Sequence, residues 1–435
     1  MNPKLRDVFG VRAASVLSYI VRPDVDERFL SGLKTDKQII IYGASKQGKT
    51  SLVAKHLPEE SNIKIHVTPK TEIVDIYASI LRQLGIKIVD QTSTSSNQEF
   101  GVTFGAKVKA FIPIFGGGEV KAEGQSKAGS GETILYEEVN FNLSLPQDIS
   151  ELLHRSAKGK AIILENFHYL DDSRQKQFAF DLRIFQELGI RFVILGVWQE
   201  KNRLAQFNGD LLDRVIEVPV EPWKAYDFVR VAQEGARFLN IDFADYILKM
   251  AIDASFGSIG VFQELLRELC MNAGIAEAQP MVVRIENQHY IEKAIRKKTD
   301  DYASRHQRIL ETIAAGNSFG SNSQGGPSPL FLTYYLVKII LAGGYDSLCN
   351  GMHHSSVHKK IRLIHHRPDD VRASDISVLL HNLAVMQGSK GIVPPIFDYD
   401  RTMKHLQVVD STFYFFLKNA DLAQIAEEIP NPLHR

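Results

Sequence analysis

The segment GASKQGKT, residues 43–50, follows the apolar run Ile39, Ile40, Ile41, Tyr42 and precedes a helical pattern at 51–57. It matches G-x-x-x-x-G-K-[ST] in the strand, loop and helix context which that pattern requires. Glycines at both ends let consecutive main-chain N–H groups curl round phosphate oxygens, and the helix N-terminus adds the positive end of its dipole. The pattern assigns Gly43, Ala44, Ser45, Lys46, Gln47, Gly48, Lys49, Thr50 and Ser51 to the phosphates of a nucleotide. Lys49 is expected on the β- and γ-phosphates and Thr50 on Mg²⁺, so the first expectation is binding of ATP or GTP.

The chain has 435 residues, 44% hydrophobic and 23% charged, which fits a soluble protein of two or three domains. Lys plus Arg equals Asp plus Glu at 51 each, so overall charge points neither toward nor away from nucleic acid. Cys270 and Cys349 lack a paired spacing, which fits a reducing compartment. The opening MNPKLRDVFG has no signal-peptide core, and the apolar stretch at 330–342 is too short to span a bilayer. A cytoplasmic location with no membrane partner is expected.

The first half alternates β-branched runs (39–42, 63–67, 161–164, 191–195 and 215–218) with helical patterns such as Ile73, Ile76, Tyr77, Ile80, Leu81 and Leu84. That rhythm predicts an α/β fold, a P-loop NTPase parallel sheet covered by helices on both faces, over residues 1–220. After Pro222 the periodicity is helical (Phe228, Ala232, Phe238, then Val261, Leu265, Leu266), which predicts a helical lid over 221–300. The last third, 301–435, combines helices with a hairpin pattern at 396–399 and 405–409, as a winged-helix domain would. GNSFGSNSQGGPS at 316–328 reads as a loop. One insertion breaks the rhythm. At 101–131, Val102, Phe104, Ala106, Val108, Ala110, Ile112 and Ile114 recur with period two, which predicts a β-hairpin turning at Gly116, Gly117 and Gly118. A solvent loop and a hairpin that touches a partner or another copy both satisfy that pattern.

Together these features resemble AAA+ and related STAND-type ATPases, in particular origin-recognition and transposition-regulator ATPases with a C-terminal winged helix. The resemblance runs from VRPDVDERFL (21–30) through the wing. AIILENFHYL (161–170) is similar to the family's Walker B strand, which ends in Asp then Glu, the first for the Mg²⁺ shell and the second to orient the attacking water. This chain departs from that pattern. Aligned directly, Glu165 takes the metal position and Asn166 the base position; shifted by one, Leu164 replaces the metal residue and Glu165 is the base. An amide accepts no proton from water, so the direct alignment implies slow turnover. His168 reads either as a group that polarises water or as a hydrogen-bonded structural histidine.

Beyond RFVILGVW, Gln199 matches the residue that senses the γ-phosphate in relatives, with Trp198 read as packing. NGDLLDRVIEVPVEPW implies Arg214 as an arginine reaching the γ-phosphate of a neighbouring subunit, against a surface pairing with Asp210 or Asp213. SFGSIGVFQELLREL implies Arg267 as a second phosphate sensor, against a solvated helix residue.

HHSSVHKKIRLIHHR (353–367) is the most basic stretch. The helix after it offers only His381, Asn382 and Gln387, with Lys390 beyond, so phosphate contact through Arg401, Lys404 and His405 fits better than base readout. Cys349, His353, His354 and His358 lack a second ligand pair at zinc spacing. The resemblance thus implies an ATP-binding, ATP-hydrolysing switch using ATP and Mg²⁺ in a nucleotide-dependent homo-oligomer. Its setting would be bacterial defence or stress response, with a protein partner docked through the hairpin or the winged helix. Two alternatives stand beside it: a DNA-associated ATPase of replication initiation or transposition control, and a nucleotide-stabilised scaffold without turnover.

Overall fold

In the computed structural model, which describes residues 2–12, 15–90, 107–113, 136–157, 159–316 and 329–434, all five β-branched runs become strands of one parallel sheet. In chain order the first eight strands are β1 (Gln38–Tyr42), β2 (Asn62–His66), β3 (Lys87–Asp90), β4 (Lys107–Pro113), β5 (Tyr136–Asn142), β6 (Ala161–Glu165), β7 (Phe192–Gly196) and β8 (Val215–Pro219). The central sheet has the order β2-β6-β7-β1-β8. Its central strands are continuous apolar runs because both faces are covered. Ile40, Tyr42, Ile162, Leu164 and Ile194 pack under helices Ile73–Gln83, Pro146–Ser156 and Asp172–Glu187. Ile39, Ile41, Ile163, Val193 and Leu195 face helices Pro23–Leu33 and Lys49–His56. The chain leaves β1 for the far edge and returns through β6 and β7, so β1 and β6 flank β7 and their carboxyl ends open one crevice.

The insertion is larger than the sequence pattern suggested. β4 lies within the alternating run and pairs antiparallel with both β3 and β5, giving a three-stranded sheet of order β3-β4-β5. Its partners come from outside 101–131, while the expected turn and return strand lie outside the described residues.

The lid core gathers Phe228, Ala232, Phe262 and Leu266 together with Leu5, Val8 and Phe9 from the start of the chain. Two short parallel strands, β9 (Ile241–Phe243) and β10 (Val283–Ile285), edge this core. Helix Gln288–Ala314 is continuous across residue 300, giving Ile291 and Ala294 to the lid core and Ile309, Leu310 and Ile313 to the C-terminal core. The C-terminal unit packs helices Leu332–Gly343, His354–Ile364 and Ala373–His381 against a small antiparallel sheet. That sheet contains β11 (Met352–His353), β12 (Phe397–Asp400) and β13 (His405–Val408) in the order β11-β13-β12, with the β12–β13 hairpin where alternation placed it. Among the described residues, no helix is long and apolar enough to cross a membrane.

Candidate nucleotide site

β1 delivers the chain into the loop at Gly43, whose φ is +150°. A Cβ there would stand 2.8 Å from Val220 Cγ2 and 2.9 Å from Glu221 Oε2, so only glycine fits. The loop turns again at Lys46 (φ +62°) and Gly48 (φ +87°), and Gly48 caps helix Lys49–His56. Among the described residues, the N–H groups of Lys46, Gln47 and Gly48 meet no protein acceptor. With the free amides of the helix start they form a concave set of donors suited to phosphate. Lys49 Nζ donates to the carbonyls of Gly43 (2.9 Å) and Ala44 (2.7 Å). Burial pushes its pKa down to about 8, against the opposing pull of Glu221 and Glu165. A bound triphosphate would hold this ammonium fully charged.

A pH signature follows. With its pKa at about 8, Lys49 is about half protonated at pH 8 before a triphosphate binds, so triphosphate binding takes up on the order of half a proton, and affinity falls as pH rises above 8. Calorimetric heats in buffers of differing ionisation enthalpy are expected to show this uptake in the parent and not in Lys49→Ala.

β6 ends at Glu165, which is buried, and its Oε2 accepts from Thr50 Oγ1 at 3.3 Å. Glu165 Oε1 is also buried and has no partner among the described residues. Burial raises the Glu165 carboxyl above the ordinary carboxylate range, and Lys64, His66, the Thr50 hydroxyl and Lys49 oppose the rise. An orphaned carboxylate oxygen beside a hydroxyl suits a hard cation. Mg²⁺ takes few protein oxygens, which suits a place offering one carboxylate and one hydroxyl. Leu164 points into the hydrophobic core, fully buried, and so supplies nothing at the metal position. Asn166 follows in the left-handed region (φ +63°), and one 3-10 turn, Phe167–Tyr169, brings His168 back to the crevice.

Glu165, Asn166 and His168 line one cavity of about 290 Å³ with Ser45 through Leu52 of the loop. Its far wall is Gly10, Val11 and Tyr19 of the N-terminal segment with Trp223, Ile259 and Gln263. Arg22 lies 3.6 Å over the Trp223 ring and donates to the Val220 carbonyl.

The outer half of the loop is tied to the other two units. Ala44 N–H donates to Glu221 Oε2 (2.5 Å), and Gln47 Nε2 donates to Glu221 Oε1 (2.7 Å). From the lid, Gly260 N–H donates to the Lys46 carbonyl (2.9 Å). A Cβ on Gly260 would sit 2.6 Å from that oxygen, so this approach also requires glycine. From the C-terminal unit, the Val409 carbonyl accepts Ser45 N–H (2.8 Å), and Ser411 Oγ donates to the Ser45 carbonyl (3.0 Å). Ser411 Oγ also lies 2.8 Å from Ser258 Oγ, so loop, lid and C-terminal unit meet at one buried point.

The structure brings Ser45 through Ser51 of the loop, Glu165 and Asn166 to one cavity, leaves Gly43 and Ala44 outside its lining, and sets three other sequence-derived residues apart. Gln199 lines a separate cavity beyond Gly43, with Glu221, Asn350 and Tyr414. Arg267 pairs with Glu264 (3.2 Å) and Glu268 (3.6 Å) beneath Gly10 and does not line the phosphate cavity. Arg214 sits at the amino end of β8, across the sheet from the loop, bonded to Gln186 (2.5 Å) and Glu187 (3.1 Å) rather than to Asp210 or Asp213. Trp198 is fully buried against Tyr42 and Phe167. Sequence reasoning missed Glu221, although its place at the carboxyl end of β8 is the same signal that marked Glu165. The junction through Gly260, Val409 and Ser411 carries no local motif and arises only from packing between units.

No protein-family model matches the chain, and no curated protein matches it. Solved structures with a similar overall course include a Walker-type ATPase of Pyrococcus abyssi, at 13% identity over 94% of this chain and 99% of that one, with a TM-score of 0.49. The RuvB Holliday junction branch migration motor of Thermotoga maritima aligns at 11% identity over 96% and 98%, with a TM-score of 0.39. The ORC1 protein of Aeropyrum pernix, solved in complex with DNA, aligns at 12% identity over 94% and 95%, with a TM-score of 0.40. Likeness at this level says nothing about activity. The chain's own loop, strand order and acidic strand end define its class: an α/β P-loop NTPase fold.

Proposed function

We propose that this chain is an ATP-binding, ATP-hydrolysing molecular switch whose loop transmits the state of the nucleotide to the lid and the C-terminal unit. One observation carries this reading: Ser45, Lys46 and Gln47 are bonded directly to both units while the neighbouring amides stay free for phosphate. Lys49 would leave the carbonyls of Gly43 and Ala44 for the phosphates, loosening the outer half of the loop where the other units hold it. Thr50 and Glu165 would hold Mg²⁺, which would neutralise negative charge on the phosphates. Arg22 and Trp223 would bound the base end of the cavity.

The C-terminal unit, read as a winged helix, supports a switch better than a DNA reader in this arrangement. Arg401, needed on a DNA phosphate in the alternative reading, pairs with Asp172 of the ATPase unit at 2.7 Å. His354 and His358 are bonded to the carbonyls of Ala373 and Val371, and Arg362 and Arg367 pair with Asp369 and Asp370. The basic stretch is therefore largely engaged within its own unit. The resemblance to AAA+ and STAND-type ATPases adds a homo-oligomer, with Arg214 offered to a neighbour's γ-phosphate from the amino end of β8, the end of the sheet away from the loop, and a setting in defence or stress response.

Calorimetry with ATP and GTP, alongside phosphate release over a range of protein concentrations, tests the reading. The expected result is ATP binding with slow turnover that rises per protomer with concentration and loses that rise in Arg214→Ala. Heat with neither nucleotide overturns the switch; tight binding with no phosphate release leaves only the scaffold.

A further inference from the structure

We propose that His168 orients the water that attacks the γ-phosphate, in the place where an Asn166 amide cannot serve as base. The proposal rests on the ATP-hydrolysis reading above. Among the described residues lining the phosphate cavity, Glu165 is the one carboxylate, and its Oε2 is directed to the Thr50 hydroxyl. His168 lines the same cavity, one short turn beyond the end of β6. Both of its ring nitrogens are shielded from solvent, and neither has a partner among the described residues. A structural histidine would have satisfied at least one of them, because a buried polar atom without a partner costs about 1–3 kcal/mol. Tyr169 packs beside the ring with centroids 4.2 Å apart and does not bond it.

Charge decides the form of the ring. Burial, with the positive charges of Lys49 and Arg203 nearby, pushes the His168 pKa down to about 3. At neutral pH the ring is uncharged, with one nitrogen accepting and the other donating. A turn of the side chain that brings one nitrogen out to the cavity lets it accept a hydrogen bond from water without adding positive charge beside Thr50 and Glu165, which would hold Mg²⁺. In the step itself, the water oxygen bonds to the γ-phosphorus, and the bond from that phosphorus to the bridging oxygen breaks with its electron pair leaving on ADP. A ring this weakly basic does not keep the proton, which ends on the released phosphate. Its contribution is orientation, of the kind that supplies roughly 10²-fold in rate when a positioned group meets the reacting water.

The test compares the parent with His168→Ala and His168→Gln in three measurements: ADP affinity by calorimetry, affinity for ADP with aluminium fluoride, and phosphate release. The expected result for His168→Ala is ADP affinity within about threefold of the parent, with aluminium fluoride affinity and phosphate release both lower by roughly 10²-fold. His168→Gln keeps an acceptor and recovers part of both. Equal turnover in His168→Ala and the parent overturns the role of His168 while leaving the ATPase reading intact. Loss of ADP affinity in step with turnover assigns the ring to packing and overturns it as well. A parent that binds ATP but releases no phosphate removes the hydrolysis reading, and the proposal with it.

Discussion

Asp398→Ala is expected to weaken the contact between the ATPase unit and the C-terminal unit by about 2–4 kcal/mol, because it strips the partner from a buried arginine. Arg203 Nη1 lies 2.9 Å from Asp398 Oδ2, with each side chain 14% exposed. The guanidinium also approaches Asp172 at 3.8 Å, which keeps the loss below that of an isolated buried pair. The neighbouring pair of Arg401 and Asp172 is about two-fifths exposed and should be worth no more than about 1 kcal/mol. A double-mutant cycle on Arg203→Ala and Asp398→Ala, read by denaturant unfolding and by protease cleavage between the units, checks this. A coupling energy no larger than that of the exposed pair would mean that the two units are not held together here.

Lys49→Ala is expected to abolish useful ATP affinity, raising Kd by roughly 10²-fold or more, since the site loses a buried charge made for phosphate. The fold should tolerate the change. Burial already holds the ammonium unfavourably, and what is lost is two bonds to carbonyls of the same loop. Calorimetry beside a thermal melt separates the outcomes: lost binding with a little-changed Tm supports the site, whereas retained binding contradicts it.

Much of this was legible in the residues, for a local reason. A parallel strand buried on both faces is a short apolar run, so 39–42, 161–164 and 191–195 announce themselves. The phosphate loop is contiguous, so its spacing carries its geometry. The insertion was legible only in part, because β3 and β5 lie far from β4 in the chain and lack its clean alternation. Gln199 and Arg267 illustrate the limit of transferring roles by position. Val197, two residues before Gln199, and Gln263, one helical turn before Arg267, line the phosphate cavity, whereas Gln199 and Arg267 do not. The buried meeting of Ser45, Ser258 and Ser411 could not be seen at all, since three serines more than 150 residues apart carry no pattern.

Hydrogen–deuterium exchange with and without ATP and Mg²⁺ tests the central claim most directly. The account predicts faster exchange at Gly260, whose N–H holds the Lys46 carbonyl, and at the start of helix Ser411–Asn419, with no change at either place in Lys49→Ala. Saturating ATP that protects the loop yet leaves the lid and the C-terminal unit unchanged would contradict it.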